Sequence, residues 1–453
     1  MKILVICQYY KPEPFRISDI CEELARRGHE VTVVTGVPNY PMGYIYEGYR
    51  HGEHRRETVQ GVEVRRCFTI GRRHGPIWRF LNYYSFVLSS RREVAKPECK
   101  PASGGDFDIV LVNQLSPVMM ASAGVKYAKA HKVPLAMYCL DLWPESLCTG
   151  GIRKGSAVYR LFHRISGRLY RACDRIMMTS RGFEKYLCGE FGIAPSRLSY
   201  LPQYAEELFG AANDKPSDEN TSVNPRNLVP NNTFAENNSN TIDLVFAGNI
   251  GAAQRVDLII RAAAILKDER VRWHIVGDGS ELAACKELAA ELGVTTVTFH
   301  GRHPVEEMPK FYGMADAMLL TLDDDEVISY TLPGKIQSYM AAGKPIIAAA
   351  NGETPRIIAD AACGLCAPAG SAEALANAVQ SFASLTENQR SEMAQNSASY
   401  YAAHFRREVF MDRLEQELQS LVKSMRRIGV AKGRIKSPEH LDTYTDEINE
   451  FFK

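Results

Sequence analysis

Apolar runs separated by amphipathic stretches dominate the chain. Lys2–Cys7 is a continuous apolar run, as expected of a strand covered on both faces of a parallel sheet. After a proline-containing loop, Ile17, Ile20, Cys21 and Leu24 share one helical face, Gly28 follows as a C-terminal cap, and Val31–Val34 reads as the next strand. Strand–helix–strand order demands a right-handed crossover and hence a doubly wound sheet. Further strands are predicted at Asp108–Val112, Pro134–Tyr138, Arg175–Met178 and Leu198–Leu201. The pattern then breaks. Asn213–Thr241 is rich in Asn, Ser and Pro and poor in core residues, which predicts a flexible linker or insertion. A second α/β series follows at once, with strands predicted at Ile242–Ala247, Arg272–Val276, Thr295–Phe299, Ala317–Thr321 and Pro345–Ala349. Near the end, Phe410, Leu414, Leu418, Leu421 and Met425 fall at helical spacing and predict an amphipathic helix that must pack on one of the lobes. The expected organisation is a lobe over residues 1–203, a linker with its insertion over 204–241, a second lobe over 242–403 and a tail over 404–453.

Composition narrows the class. The 453 residues carry 54 basic against 53 acidic side chains, which excludes a globally basic nucleic-acid coat and an acidic disordered chain but leaves room for a local basic patch. No nucleic-acid partner is expected. Eleven cysteines are sparse and irregularly spaced, and the odd count argues against a secreted disulfide framework and for a reducing compartment. Cys363 and Cys366 form a lone C-x-x-C without a second pair, a weak sign of a metal or redox site. The apolar part of the start is too short for a signal peptide, and no window reaches the ~18 consecutive apolar residues of a membrane span. A soluble protein, or one touching a membrane from outside, is expected.

Candidate chemistry collects at strand ends of the second lobe. Ser329–Lys335 leads into a helix, with Leu332, Pro333 and Gly334 at its entrance. Pro333 suits a first turn, Gly334 admits close approach, and Lys335 beside free N–H groups suits a diphosphate; a merely well-capped helix fits the same spacing. Gly248, Asn249, Gly251, Gln254 and Arg255 lie on a loop after a buried strand, where α/β sheets bind ligands. Arg255 reads either as a cation for that site or as a solvated helix residue. Gly277 belongs to a third strand-end turn, Val276–Glu281, which is not a dinucleotide fingerprint because Leu282 occupies the third glycine position.

These segments together resemble the retaining GT-B glycosyltransferases of family four, and within them bacterial O-antigen and capsule enzymes that transfer amino sugars of the N-acetyl-L-fucosamine type. The resemblance rests on QYYKPEP and ELARRGHEVTVVTGVPNYP, then DLWPES (141–146), LPQYAEELF (201–209), FAGNIGAAQ, VGDGSE, TLPGKIQSYMAAGKPI, and GETPRII with CGLCAPAG, in order across both lobes. It implies two Rossmann-like, doubly wound α/β lobes facing a central cleft. A UDP-sugar donor would sit mainly on the second lobe, and a polyprenyl-diphosphate-linked acceptor on the first. The last helix would cross back to the first lobe, and no metal or other cofactor is expected. It further implies work at the cytoplasmic face of a membrane, in surface-polysaccharide assembly.

Two departures matter. The family's glutamate pair should fall where this chain has Tyr330 and Ser338, which puts the contact to the donor ribose at Ser338 in doubt. The family's diphosphate-binding Arg and Lys align with Asn249 and Gln254, so Lys335 and Arg255 are the nearest charges to take over. Asp141 and Glu145 are candidates for orienting sugar or acceptor hydroxyls, or else only form a helix start. Arg16, on the first strand–helix loop, reads as a phosphate contact or as a surface residue. Gly71–Lys96 brackets an aromatic and aliphatic body with arginines, which suits either a helix lying in a headgroup layer or a core helix covered by arginine stems. A UDP-sugar 2-epimerase of the same fold and a non-catalytic nucleotide-sugar-binding partner are the rival readings.

Overall fold

The computed structural model describes residues 1–73, 75–149, 151–210, 241–268 and 270–431; the low-complexity insertion expected around 213–241 therefore lies almost wholly outside the described residues. In the first lobe, β1 (Lys2–Ile6), β2 (Glu30–Gly36), β3 (Arg56–Val59), β4 (Val62–Cys67), β5 (Ile109–Gln114), β6 (Leu135–Cys139), β7 (Arg175–Met178) and β8 (Leu198–Tyr200) form one sheet. Its order is β3-β4-β2-β1-β5-β6-β7-β8, parallel throughout except for the β3–β4 pair. In the second lobe, β9 (Ile242–Ala247), β10 (Val271–Val276), β11 (Val297–Gly301), β12 (Ala317–Thr321), β13 (Ile346–Ala349) and β14 (Gly364–Ala367) form an all-parallel sheet ordered β11-β10-β9-β12-β13-β14. Strand order reverses at β1/β5 and at β9/β12, and the crevice beyond the carboxyl ends of strands at such a reversal is where open α/β sheets bind ligands.

The apolar strand runs arise because each sheet is covered twice. Along β1, Ile3 and Val5 face one layer while Leu4 and Ile6 face the other. Helices Pro76–Glu93, Ala121–His131, Ala157–Ala172 and Gly182–Phe191 cover the Leu4 side. Helix Ile17–Arg26 covers the Ile3 side together with the final helix, Arg407–Ala431, which returns from the second lobe. Phe410, Met411, Leu414, Leu418, Leu421 and Val422 are buried there, and the Phe410 ring meets Tyr138 and Tyr204 at 5.5 and 5.1 Å between centroids. Burying each such side chain is worth about 1.5–3 kcal/mol. Around the rim, Arg27 pairs with Asp412 at 2.6 Å and Glu415 at 3.2 Å.

The β3–β4 hairpin has no counterpart among the predicted strands. Its turn is Gln60–Gly61, both with positive φ. The strands RETV and VEVRRC carry charges that hide the alternation. Those charges are buried in pairs: Arg66 donates to Glu57 and to the Lys11 carbonyl, both at 2.6 Å. The arginine-bracketed segment divides between its two readings. Phe86 and Val87 at the far end of helix Pro76–Glu93 are core, whereas Ile77 and Trp78 at its start are exposed.

Leu414→Ala and Leu418→Ala should each lower stability by about 2–5 kcal/mol, measured by urea unfolding. A loss below about 0.5 kcal/mol would mean that the helix is not packed through these positions.

Candidate active site

Loops from β9 and β10 are zipped together at the second lobe's reversal point. The Gly248 N–H donates to the Val276 carbonyl at 2.9 Å, Ile250 N–H to Asp278 at 2.9 Å, and Glu281 N–H to Ile250 at 3.0 Å. Gly248 and Gly277 have φ of 144° and 146°, and a Cβ on Gly277 would lie 1.8 Å from the Gly248 carbonyl oxygen. A Cβ on Gly248 would lie 2.5 Å from Cε of Lys335, so the lysine stem runs against bare backbone. Lys335 opens the helix Lys335–Ala341. One turn on, the fully buried Tyr339 anchors that helix: its hydroxyl accepts from the Ala247 N–H at 3.2 Å and lies 3.2 Å from the Ala247 carbonyl oxygen.

The half-buried Lys335 ammonium stands 3.7 Å from the centroid of the Phe246 ring. Among the described residues no carboxylate pairs with it, and burial alone draws its pKa down to about 7. The helix is only seven residues long, so the positive charge here resides in the side chain more than in a helix dipole.

The other candidates divide. Asn249 donates its amide to Gln254 at 3.2 Å, a neutral pair on the same loop. Arg255 is not the free cation that the departures called for: Asp257 at 2.9 Å and Asp323 at 3.0 Å compensate it, and it braces the start of helix Val256–Leu266. Pro333 and Gly334 precede the helix rather than forming its first turn; Gly334 faces open space, while the Leu332 side chain is buried in the core. Ser338 donates to Glu206 Oε2 at 3.3 Å, and Arg16, whose guanidinium lies 5.0 Å from the Tyr204 ring centroid, pairs with the other oxygen of Glu206. Glu206 thus joins the two lobes. The sequence reading missed it because it lies in a segment taken for linker; its place in LPQYAEELF was the available signal.

In the first lobe, Asp141 accepts from Ser116 and from Ser146 (2.6 Å), with burial raising its pKa. Glu145 is buried at 2% exposure and accepts from Tyr159 at 2.6 Å and Tyr186 at 3.1 Å, with Lys154 at 3.4 Å. These partners make Glu145 a positioning residue for its loop rather than a group open to substrate. A second buried carboxylate had gone unassigned. Glu13 accepts from the backbone N–H groups of Asn39 (2.8 Å) and Tyr40 (2.7 Å), and burial pushes its pKa up to about 7. It gathers the loops that carry the Tyr9, Phe15 and Tyr40 rings, with centroids 4.8–5.8 Å apart. Cys363 is buried and Cys366 exposed, and no group of three or more ligating side chains lies together among the described residues.

Paired Rossmann-like lobes, each with its strand order reversing at a crevice, define a GT-B architecture. Sequence comparison agrees. The profile described as Glycosyl transferase 4-like domain matches residues 15–203, and that of Glycosyl transferases group 1 matches 231–400. The chain is 28% identical over 295 residues to the probable glycosyltransferase WbjE of Pseudomonas aeruginosa, covering 62% of this chain and 69% of that one. It is 25% identical over 352 residues to the putative colanic acid biosynthesis glycosyl transferase WcaI of Escherichia coli (strain K12), covering 76% and 82%. Anabaena Alr3699/HepE, solved in complex with UDP, shares the fold with a TM-score of 0.65 at 15% identity, over 93% of this chain and 100% of that one. The two lobes thus match two glycosyl transferase profiles in turn, and the chain is a glycosyltransferase of GT-B fold.

The Lys335 environment predicts a lysine Cε resonance that titrates near pH 7 by NMR and vanishes in Lys335→Met. With the folded pKa below the ordinary lysine value of 10.5, the unfolded chain binds more protons between about pH 7 and 10.5. This group's contribution to native stability therefore rises with pH across that window, and Lys335→Met should flatten the rise. A midpoint above pH 10 would mean that the ammonium is hydrated or paired.

Proposed function

We propose that the enzyme transfers a sugar, with retention of configuration, from a UDP-sugar to a polyprenyl-diphosphate-linked acceptor in surface-polysaccharide assembly at the cytoplasmic face of the membrane. The Lys335 ammonium, which no carboxylate of the described residues pairs, carries this reading. A cation with no carboxylate partner among the described residues, lying beside bare glycine backbone at a strand-end crevice, is matched to a diphosphate, and its charge matters most as the leaving group becomes more negative. UDP in the HepE complex and colanic acid in the WcaI description support the donor and the pathway class. An amino-sugar donor of the N-acetyl-L-fucosamine type rests on the motif resemblance alone.

In this mechanism the bond from the anomeric carbon to the diphosphate oxygen breaks, and its electron pair stays on the diphosphate. The acceptor hydroxyl oxygen forms the new bond from the same face, and its proton passes to the departing diphosphate. No protein nucleophile and no metal is required. Lys335 stabilises the diphosphate, while the Gly248 and Gly277 loops let it approach the backbone. The loop held by Asp141 and Glu145 and the Tyr9–Phe15–Tyr40 cluster shape the acceptor side. Ile77 and Trp78, with Arg73 stacked 4.6 Å from the Trp78 ring centroid, and the exposed Met42 and Tyr44 form the patch that would meet the headgroup layer.

UDP-N-acetylglucosamine, whose diphosphate does not titrate near neutrality, should bind progressively more weakly above pH 7, approaching tenfold per unit by calorimetry. Lys335→Met should bind weakly with no such slope, and Lys335→Ala should lose about 10²–10³ in turnover. A normal pH slope in Lys335→Met would move the diphosphate elsewhere. UDP-sugar binding without transfer to any lipid-linked acceptor would overturn the proposed reaction.

Ile77→Ser with Trp78→Ser should release the protein from sedimenting anionic vesicles. Undiminished sedimentation would remove this patch from the membrane contact.

A further inference from the structure

Helix Ala157–Ala172 carries Arg160, Arg164, Arg168 and Arg171 at spacings of four, four and three, and has no acidic residue. Such spacing places the arginines along one side of the helix. That side borders a cavity of about 450 Å³ between this helix and helix Gly182–Phe191, lined by Arg160, Arg164, Arg171, His163, Glu190 and Phe191, among others.

Its charges are unevenly satisfied. Glu190 is taken up by His163 at 3.2 Å, and Arg171 donates to the Phe191 carbonyl at 3.2 Å. Arg160 and Arg164, both exposed, have no hydrogen-bond or ion-pair partner among the described residues. Like charges four residues apart on a helix repel, at a cost of a few tenths of a kcal/mol in water, and an anion between them removes that cost. Guanidinium groups bind phosphate oxygens through parallel N–H donors, so the arrangement suits a phosphate group better than a single carboxylate.

The groove shares one residue with the network around the loop of Asp141 and Glu145. Tyr159 lines it, and the Tyr159 hydroxyl donates to Glu145, which holds the loop carrying Asp141.

We propose that the Arg160–Arg164–Arg171 groove is a second anion site, separate from the donor crevice, that binds the phosphate group of a phosphoester. Its source is either a soluble phosphate compound or an anionic lipid headgroup, and the two call for different probes. The site does not depend on the donor reading above.

The test uses the full chain with inorganic pyrophosphate, followed by calorimetry, and with phosphatidylcholine vesicles containing or lacking phosphatidylglycerol, followed by sedimentation. Arg160→Gln with Arg164→Gln should weaken pyrophosphate binding at least tenfold and leave the thermal midpoint unchanged. Lys129→Gln with Lys132→Gln removes the same charge from the neighbouring helix end and should leave binding intact. Pyrophosphate binding that survives Lys335→Met and is lost with the arginines establishes the groove as a site for soluble phosphates. No pyrophosphate binding at the groove, but phosphatidylglycerol-dependent sedimentation lost only with the arginines, establishes the headgroup as the source. Equal losses in the arginine and lysine variants, binding lost only with Lys335, or no effect of the arginine change on either probe would overturn the proposal.

Discussion

An ammonium held half out of water, with no carboxylate partner among the described residues, is the constraint around which the second lobe is organised. Desolvating Lys335 without a partner is unfavourable, and the drop of its pKa toward 7 reflects that cost. The fold tolerates it because the stem lies along the bare Gly248 backbone and the charge over the Phe246 ring. It also keeps competing anions occupied. Asp257 and Asp323 are spent on Arg255, and Glu206 is spent on Arg16 and Ser338. A carboxylate free to reach Lys335 would stabilise the empty protein but would have to be displaced by any diphosphate.

Holding that ammonium requires three strand ends to stay in register. The hydrogen bonds between the loops after β9 and β10 fix the crevice floor, and Tyr339 fastens the lysine-bearing helix to the end of β9. The reversal of strand order at β9/β12 opens the space above them. The glycines are needed because the backbones come too close for a Cβ, and each substitution there would displace either a neighbouring carbonyl or the lysine.

Buried parallel strands are legible in a sequence because both faces are apolar, and the strand runs of both lobes read clearly for that reason. The β3–β4 hairpin was not legible, since its pairing depends on Arg66 finding Glu57 and the Lys11 carbonyl, which no periodicity reveals. The site follows the same division. Lys335 stood out locally because its glycine and proline neighbours are adjacent in the chain. The neutralisation of Arg255 by Asp323 and the bridge through Glu206 join residues far apart in sequence. For Asp141 and Glu145, the helix-start alternative lies nearer to what the fold shows: Asp141 accepts from Ser146 at the start of helix Ser146–Thr149, and Glu145 turns inward.

The residues at the two glutamate positions, Tyr330 and Ser338, become intelligible through contacts between the lobes. Tyr330 packs on Tyr186 with ring centroids 6.4 Å apart, lies beneath the Lys185 ammonium at 5.4 Å, and hydrogen-bonds Glu326. A glutamate there would bring a third carboxylate toward Glu326 and the Tyr186–Glu145 pair, where like charges repel. Tyrosine instead adds apolar area between the lobes. At 338 the small hydroxyl leaves room for Glu206 to enter from the interlobe segment, and a glutamate in that position would meet Glu206 head on. The carboxylate beside this helix comes from the segment joining the lobes and is held by an arginine of the first lobe. Its position depends on how the lobes sit, which a glutamate carried by the helix itself would not.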